Sequence, residues 1–597
     1  MKKIYIISAI ACATLCFSSC DDDRFLEETP KYFYTMENAF TTSSQVEQAL
    51  VHCYSHLRNQ YVITNENGTA FAYKGSNGTD MFDVSSIRHG FQFNDYSNLT
   101  PERAEYSNIY STWYKMISYA NLVLYGAGLE EIEWDSEQAK KYVVAQARFF
   151  RAWAYRNLGE LFGGVPLVTE FCTQARYDYK RSTRLETYQF AIDELEEILS
   201  DLPVTSDERG RIVRGAAQHT LCQLYLDKGI VLSEQAEKIQ EAIAAYNKAV
   251  EYADILIDGG VYSLMTERFG TRKDESPQFY YGSTIDKDGK EVKLSYESAG
   301  VHMEGNVFWD MFQIGNQTYQ SGNKESIWTL TTDYAAYVEE DKAARLPNSR
   351  AFSPTFRDPL AGILDGTKED VGGRGVTWVM PTSYTRDQIY SGKWADDMRN
   401  SEAVMRRHFV GNVPGNQYYG KIIPESVLYK TNQSSSARDA AYTQCFPISC
   451  KVALDSYMDD VSGGNKSYIF RDDYYIRLAE TILLRAEARM RLGDLKGAAA
   501  DINKLRARAK CSYMVQDYEV NLNLILDERA RELVYEELRW NTLLRMGGTV
   551  AVDRIREYSY WDYPRSSSMK TFNLWPIPQK VIDTNKDVLI EQNEGWY

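Results

Sequence analysis

Two stretches of the sequence combine aromatic rings with charged side chains in the way that a sugar-binding site requires. One face of a sugar ring carries C–H groups that stack on aromatic rings, and its hydroxyls need hydrogen-bonding partners such as Asp or Arg. The stretch Asn77–Tyr96 supplies Asp80, Arg88, Phe93 and Tyr96. The stretch Gly373–Arg399 supplies Trp378, Tyr384 and Trp394. These seven side chains are the candidate ligand-binding residues.

Other spacings that could support chemistry have simpler interpretations. His52 and His56 lie four residues apart, a spacing that can hold zinc, but no third ligand is nearby and no HExxH motif occurs. We expect them to be polar positions on the flank of a helix. The charged segment Asp527–Arg539 could supply paired carboxylates for acid catalysis, yet its alternating charge is more typical of i,i+4 ion pairs on a helix face. No nucleophile elbow, phosphate loop or metal cluster appears, so the sequence predicts no enzyme, no cofactor and no metal site.

Composition limits the kinds of partner. The 597 residues carry a formal net charge of −16, which leaves no positive field to attract phosphates and argues against nucleic acid. The chain is rich in aromatic residues, with 44 Tyr and 11 Trp. Much of this aromatic surface could serve in ligand binding.

The N-terminus has the features of an export signal. Lys2-Lys3 precede an apolar run, Ile4–Phe17, that is too short to span a membrane, and small residues lead into Cys20. This pattern resembles a bacterial lipoprotein signal in which Cys20 becomes the lipidated N-terminus. We therefore expect a signal peptide at 1–19, a lipid anchor and tether at 20–34, and a membrane attachment through the lipid alone. Six cysteines follow Cys20, and whether Cys445 and Cys450 form a disulfide is left open by the sequence.

Helical periodicity dominates two blocks, about 102–260 and 472–547. In the second block, apolar residues from Tyr474 to Leu492 fall three to five apart, Gly493-Asp494 breaks the helix, and a second apolar stripe follows. Ala486 and Ala498 would face each other across this turn. A helix–turn–helix of this kind resembles a tetratricopeptide (TPR) unit, which needs neighbours to bury its apolar face. With the earlier helices, the pattern predicts about four such pairs.

Between the two blocks, about 261–470, the sequence is rich in Gly, Tyr, Trp, Asn and Pro and has only short strand-like runs such as Ser326–Leu330. Repeat proteins often bind their ligands through such insertions. The last residues, Asn573–Tyr597, are expected to form a strap that packs on the body. We predict a mainly α fold, with a TPR-like scaffold, one large irregular insertion and a single domain over 35–597.

Five marks occur together in this order: the lipobox at Cys20, Gly163–Leu167, Tyr475–Glu480, Asp527–Leu533 with Arg539-Trp540, and Trp575–Pro578 followed by Gln592–Tyr597. As a set they resemble the SusD/RagB family of Bacteroidetes surface lipoproteins. Glu594 stands where a proline is more usual in that family. The resemblance covers essentially the whole mature chain.

This resemblance implies a SusD-like, non-catalytic lipoprotein on the outer membrane, exposed at the cell surface. It implies capture of oligosaccharide or polysaccharide and transfer to a SusC-like TonB-dependent barrel. In such proteins the loop that corresponds to Asn77–Tyr96, ahead of the helix containing Trp113, supplies ligand contacts, and Asp80, Arg88 and Tyr96 are the nearest equivalents. The main alternative is that the lipoprotein closes the same barrel as a lid but captures a peptide. A glycan-degrading enzyme is a weaker alternative.

Overall fold

The computed structural model describes residues 39–61, 76–84, 99–332, 351–354, 360, 362–366, 375, 377, 379–428, 445–455, 458–460, 466–469, 471–559 and 572–596. Six long helices precede the insertion: α1 Ser43–Tyr61, α2 Ala104–Gly128, α3 Glu137–Phe162, α4 Arg184–Ile198, α5 Arg214–Ser233 and α6 Ile239–Asp258. Within the described part of the chain, none of these or later helices is both long and apolar enough to cross a membrane.

One short strand, β1 Phe82–Val84, lies between α1 and α2. The insertion itself contains short elements: β2 Tyr280–Ile285, β3 Glu291–Ser295, α7 Val307–Met311, β4 Ser326–Leu330, β5 Val379–Pro381, α8 Ser383–Arg386, β6 Met405–Arg406, α9 Glu425–Leu428, β7 Ile448–Ser449, β8 Met458–Asp460 and β9 Lys466–Ile469. The strands pair antiparallel in twos: β1 with β5, β2 with β3, β6 with β7 and β8 with β9.

The C-terminal part returns to helix. It comprises β10 Asp473–Arg477, α10 Leu478–Arg491, α11 Leu495–Arg508, α12 Leu522–Leu533, α13 Arg539–Arg545, α14 Val550–Tyr558 and α15 Gln579–Thr584. The helices α1 to α6 form a consecutive series in which neighbouring helices pack against each other. The series continues from α6 to α10 and from α10 to α11. The predicted mainly α scaffold of about four helix pairs is therefore confirmed.

Local sequence explains where these helices begin and end. Ser136 accepts a hydrogen bond from the Ala139 amide at the start of α3, and Thr183 with Glu186 forms a capping box at the start of α4. Between α10 and α11, Gly493 takes a φ of +82°, which glycine adopts without strain, and Asp494 then caps α11. Ala486 and Ala498 lie in one buried cluster across this turn, as predicted.

One predicted helix begins too early. Asp473–Arg477 is a strand, β10, that pairs antiparallel with β4, and α10 begins only at Leu478. Tyr474 and Ile476 are buried while Tyr475 between them is partly exposed, which is the alternation of a strand. Ser326–Leu330 is the strand that its sequence indicated.

A single buried apolar cluster draws on both helical blocks. It includes Trp113 from α2, Trp328 from β4 and Trp540 from α13. The C-terminal strap joins the same cluster through Trp575 and Trp596. The Trp575 amide donates to the Leu161 carbonyl oxygen at 2.8 Å, so the strap is tied to the end of α3 as expected.

The described cysteines carry free thiols. Cys445 and Cys450 are both buried and are not joined in a disulfide, which settles the alternative that the sequence left open. Burial raises the pKa of the Cys450 thiol to about 12. Cys172 differs from the other described cysteines because it is exposed.

Candidate ligand-binding site

The two stretches singled out by their aromatic and charged residues are brought together by one strand pair. β1 and β5 run antiparallel with Phe82 opposite Pro381 and Val84 opposite Val379. The chain segment that follows Val84 and the one that precedes Val379 are therefore connected to the same end of this ribbon. Arg88, Phe93, Tyr96 and Trp378 belong to those segments and lie outside the described residues, as does Cys20.

Asp80 lies immediately before β1 and is completely buried. Its Oδ1 is 2.8 Å from Arg539 Nε, and its Oδ2 is 2.7 Å from Arg539 Nη2 and 2.9 Å from Arg554 Nε. Burial raises the pKa of Asp80, but the two guanidinium groups lower it further, to about 2. Because both carboxylate oxygens are engaged away from solvent, Asp80 supports the ribbon in this structure and presents no surface to a ligand.

Tyr384, in α8 just after β5, is also buried. Its hydroxyl lies 2.5 Å from Asp527 Oδ1, and its ring lies against Tyr558 with the ring centroids 4.2 Å apart. Arg554 contacts the Tyr384 ring as well as Asp80, so the structure joins these two predicted residues in one buried cluster. Like Asp80, Tyr384 belongs to the base of the ribbon.

Among the candidate ligand-binding residues that the structure describes, Trp394 is the one that is not fully buried. It is partly buried, and the guanidinium carbons of Arg506 and Arg531 lie 4.5 and 4.3 Å from its ring centroid. The Tyr513 ring meets it edge-on with the centroids 5.5 Å apart. Lys393 Nζ also lies 5.0 Å from the ring centroid, and cation–π attraction from these three cations stabilises the position of the indole.

The charged helix α12 differs from its predicted form. Glu528, Arg529, Arg531 and Glu532 are all buried, and among the described residues only Arg531 and Glu528 pair within the helix, at 2.9 Å. The other partners lie on separate elements. Glu532, for example, contacts Arg399 at 2.8 Å and Arg477 at 2.6 Å, and also contacts Arg508. The expectation of i,i+4 ion pairs along this helix is therefore wrong, because helical spacing does not show which charged groups arrive from other elements.

The expected position of the two histidines on the flank of a helix is confirmed, and Arg399 joins the ionic cluster described above. Arg399 binds Asp397 at 2.6 Å inside that cluster. His52 and His56 pack edge-on against Tyr119, and His56 Nε2 is 3.0 Å from the Thr112 carbonyl oxygen. Across the described residues, no group of three His, Cys, Asp or Glu side chains is placed to hold a metal ion.

Sequence analysis missed one feature, a cavity of about 480 Å³ between α2, the segment 166–179 and the C-terminal strap. Its lining includes Tyr110 and Tyr114 of α2. The available signal was a polar stripe at helical spacing, Ser107, Ser111 and Ser118, on the same helix.

Two family models match parts of this sequence. One family model, described as the SusD family, matches residues 324–596, and a second, described as starch-binding associating with outer membrane, matches residues 24–226. The chain belongs to the SusD/RagB family, as its motifs indicated.

Individual relatives share low sequence identity with this chain, but the alignments cover most of its length. The chain is 22% identical over 614 residues to SusD-like protein P25 of Formosa agariphila, with 98% of each chain covered. It is 25% identical over 488 residues to the starch-binding protein SusD of Bacteroides thetaiotaomicron, covering 80% of this chain and 77% of that protein.

Solved structures show the same fold. A SusD homolog from Bacteroides thetaiotaomicron has a TM-score of 0.63 at 17% identity, covering 94% of this chain and 98% of that one. Surface glycan-binding protein A of the same organism, in complex with laminarihexaose, has a TM-score of 0.61 at 18% identity, covering 93% and 100%. The predicted SusD-like fold is confirmed.

Proposed function

We propose that this protein is a cell-surface lipoprotein, anchored at Cys20 in the outer membrane, that captures oligosaccharide or polysaccharide and transfers it to a SusC-like TonB-dependent transporter. Family membership supports the outer-membrane location, since one matching family model is described as associating with that membrane. Relatives described as starch-binding and laminarin-binding support a glycan ligand.

The pairing of β1 with β5 is the observation that carries the proposed location of the ligand. It connects the segment containing Arg88, Phe93 and Tyr96 to the segment containing Trp378 at one end of a two-stranded ribbon. Below the ribbon, Asp80, Arg539 and Arg554 form a buried ionic base. A binding surface needs such a rigid support, because aromatic platforms held in place lose little entropy when a sugar stacks on them.

The buried carboxyl groups of α12 are unsuited to acid catalysis. A glycosidase needs a carboxylic acid that stays protonated near neutral pH, so its pKa must be raised. On α12, burial raises the pKa of Glu528, but Arg399, Arg531 and Arg506 lower it further, to about 2. The pKa of Glu532 is also well below its ordinary value, so neither carboxyl group is suited to donate a proton to a leaving sugar.

Retardation of the mature protein in polysaccharide-loaded native gels tests this proposal. We expect retardation by at least one polymer in a panel of neutral and acidic glycans, and its loss in Trp378→Ala or Tyr96→Ala. Tyr518→Ala, at an aromatic side chain that is 80% exposed on another part of the surface, is the matched control and should be retarded normally.

Four results would contradict parts of the proposal. Normal retardation of both variants would remove the ligand from the ribbon end, and release of reducing sugar would indicate an enzyme. Binding of peptide mixtures without any glycan would favour the peptide-importing alternative. Failure to co-purify a TonB-dependent barrel from outer membranes would remove the transfer step and leave glycan capture in place.

A further inference from the structure

The cavity of about 480 Å³ beside α2 has walls that are fixed by hydrogen bonds. Asn121 Nδ2 donates to the carbonyl oxygens of Val168 and Glu170, each at 3.0 Å, and the Tyr114 hydroxyl donates to the Pro166 carbonyl oxygen at 2.7 Å. These contacts tie the segment 166–179 to α2. On the other side, Asn585 bonds both the amide and the carbonyl group of Tyr179 at 2.9 Å. The cavity is therefore preformed, and its volume lies in the range of roughly 300–1,000 Å³ that is typical of small-ligand sites.

The lining offers aromatic surface and hydroxyl groups side by side. Tyr110 and Tyr114 stack on each other with centroids 4.9 Å apart, and both rings line the cavity. Ser107 and Ser118 also line the cavity, and a serine hydroxyl can both donate and accept a hydrogen bond. The Ser111 hydroxyl donates to the Asn108 carbonyl oxygen and keeps its own acceptor capacity.

Charge is confined to the rim and is balanced there. Arg176 is exposed and already pairs with Asp178 at 3.0 Å, and the other charged lining groups, Glu170 and Lys580, have opposite signs. An ionic ligand seated on the floor would lose water without gaining a buried counter-charge, which is costly. Apolar C–H groups can instead contact Ile117 and Val581, while ligand hydroxyls meet the serines.

We infer that this cavity is a second binding site, specific for a short neutral saccharide, and built from elements other than the β1–β5 ribbon. The inference rests on the proposed function only in its choice of a sugar as the ligand. A site of this size would take a mono- or disaccharide, so it would bind chain ends or released sugars while the ribbon end holds the polymer.

Cys172 provides a direct reporter of occupancy, because it lines the cavity and is the exposed thiol among the described cysteines. We would measure the rate at which a thiol reagent modifies Cys172 in the mature protein, with the Cys172→Ser protein as the blank. The probes are glucose, galactose, N-acetylglucosamine, maltose and cellobiose at millimolar concentration, with glucuronate and a glycine dipeptide as charged comparisons.

We expect at least one neutral sugar to slow the modification several-fold in a saturable way. Ser111→Trp places a large ring in the cavity from an exposed helix position and should abolish this protection. Ser44→Trp, at an exposed serine of α1 that does not line the cavity, should keep it. Ser118→Trp is the second cavity variant if Ser111→Trp lowers the melting temperature.

The outcomes separate this site from the proposed function. Retardation of Ser111→Trp in polysaccharide gels should be normal, and Trp378→Ala should keep the sugar protection of Cys172. Protection without gel retardation would leave the cavity site standing and overturn glycan capture at the ribbon. No protection by any neutral sugar, equal protection in Ser111→Trp, or protection only by the charged probes would overturn the cavity site.

Discussion

His219 lies on α5 with its ring almost fully buried, and its Nδ1 is 2.8 Å from the Thr481 hydroxyl on α10. Glu480 is the nearest acidic group, with its Oε2 3.8 Å from His219 Nε2. Burial lowers the pKa of His219 from 6.5 to about 4, while Glu480 raises it and Arg156 and Arg529 lower it by smaller amounts. The unfolded chain therefore takes up a proton near pH 6.5 that the folded protein accepts only near pH 4.

Because the unfolded state binds more protons in this window, the free energy of unfolding falls as the pH falls from about 6.5 to about 4. His219→Gln cannot titrate, so we expect it to reduce the loss of stability across this window by on the order of 3 kcal/mol. Guanidinium unfolding at a series of pH values measures this change. His302→Gln, at a ring that is largely exposed, is the control and should keep the wild-type slope. Equal slopes for the two variants would contradict the prediction.

At the scale of elements, α12 connects the insertion to the helical scaffold through buried charge. Glu532 receives Arg399 from the insertion, Arg477 from β10 and Arg508 from α11. Burial raises the pKa of this carboxyl group, but the arginines lower it further, so it is ionised in the folded protein. The Glu532 carboxylate thus contacts guanidinium groups from three elements.

Glu532→Gln would leave these arginines without their shared anion. Removing one partner from a buried ion pair costs about 3–5 kcal/mol, and we expect a loss of stability in that range. Denaturant unfolding at neutral pH is the measurement. Glu251→Gln on α6 removes an exposed partner of Lys248 and should produce no resolvable change. If Glu532→Gln is as stable as Glu251→Gln, the ionic cluster contributes nothing to the fold.

The elements differ in how far their sequence determined the prediction. The helices α2 to α6 follow apolar stripes with clear stop signals, and their positions were predictable. β10 was mistaken for the first turn of α10, because Tyr474 and Leu478 are four residues apart, as on one face of a helix, and a strand of five residues gives too short a pattern to overrule this. The charges of α12 were predicted to pair with each other at i,i+4, because the charge pattern of one helix gives no information on arginines that arrive from β10, α11 and the insertion.

At the scale of the whole molecule, residues near the start of the described chain contact residues near its end. The strap places Trp575 and Trp596 against Tyr106 at the start of α2, and Asp80 pairs with arginines 459 and 474 residues later. No local pattern encodes contacts over such distances, and the sequence therefore assigned Asp80 to a ligand. Only the family resemblance placed both ends in one fold. The domain bounds at 35–597 and the ligand contacts of Arg88, Phe93, Tyr96 and Trp378 stay predictions.

Asp80→Asn separates a structural role from a ligand-binding role. The substitution preserves the shape of the side chain but leaves Arg539 and Arg554 without their shared carboxylate, so we expect stability to fall by about 3–5 kcal/mol. Glycan retardation should persist wherever the variant is still folded, since Asp80 is completely buried. The control is Asp178→Asn, which removes an Asp–Arg pair of the same chemistry at the surface and should unfold at the wild-type denaturant concentration. Wild-type stability combined with lost retardation would instead return Asp80 to the ligand site and show that the ribbon opens when a glycan binds.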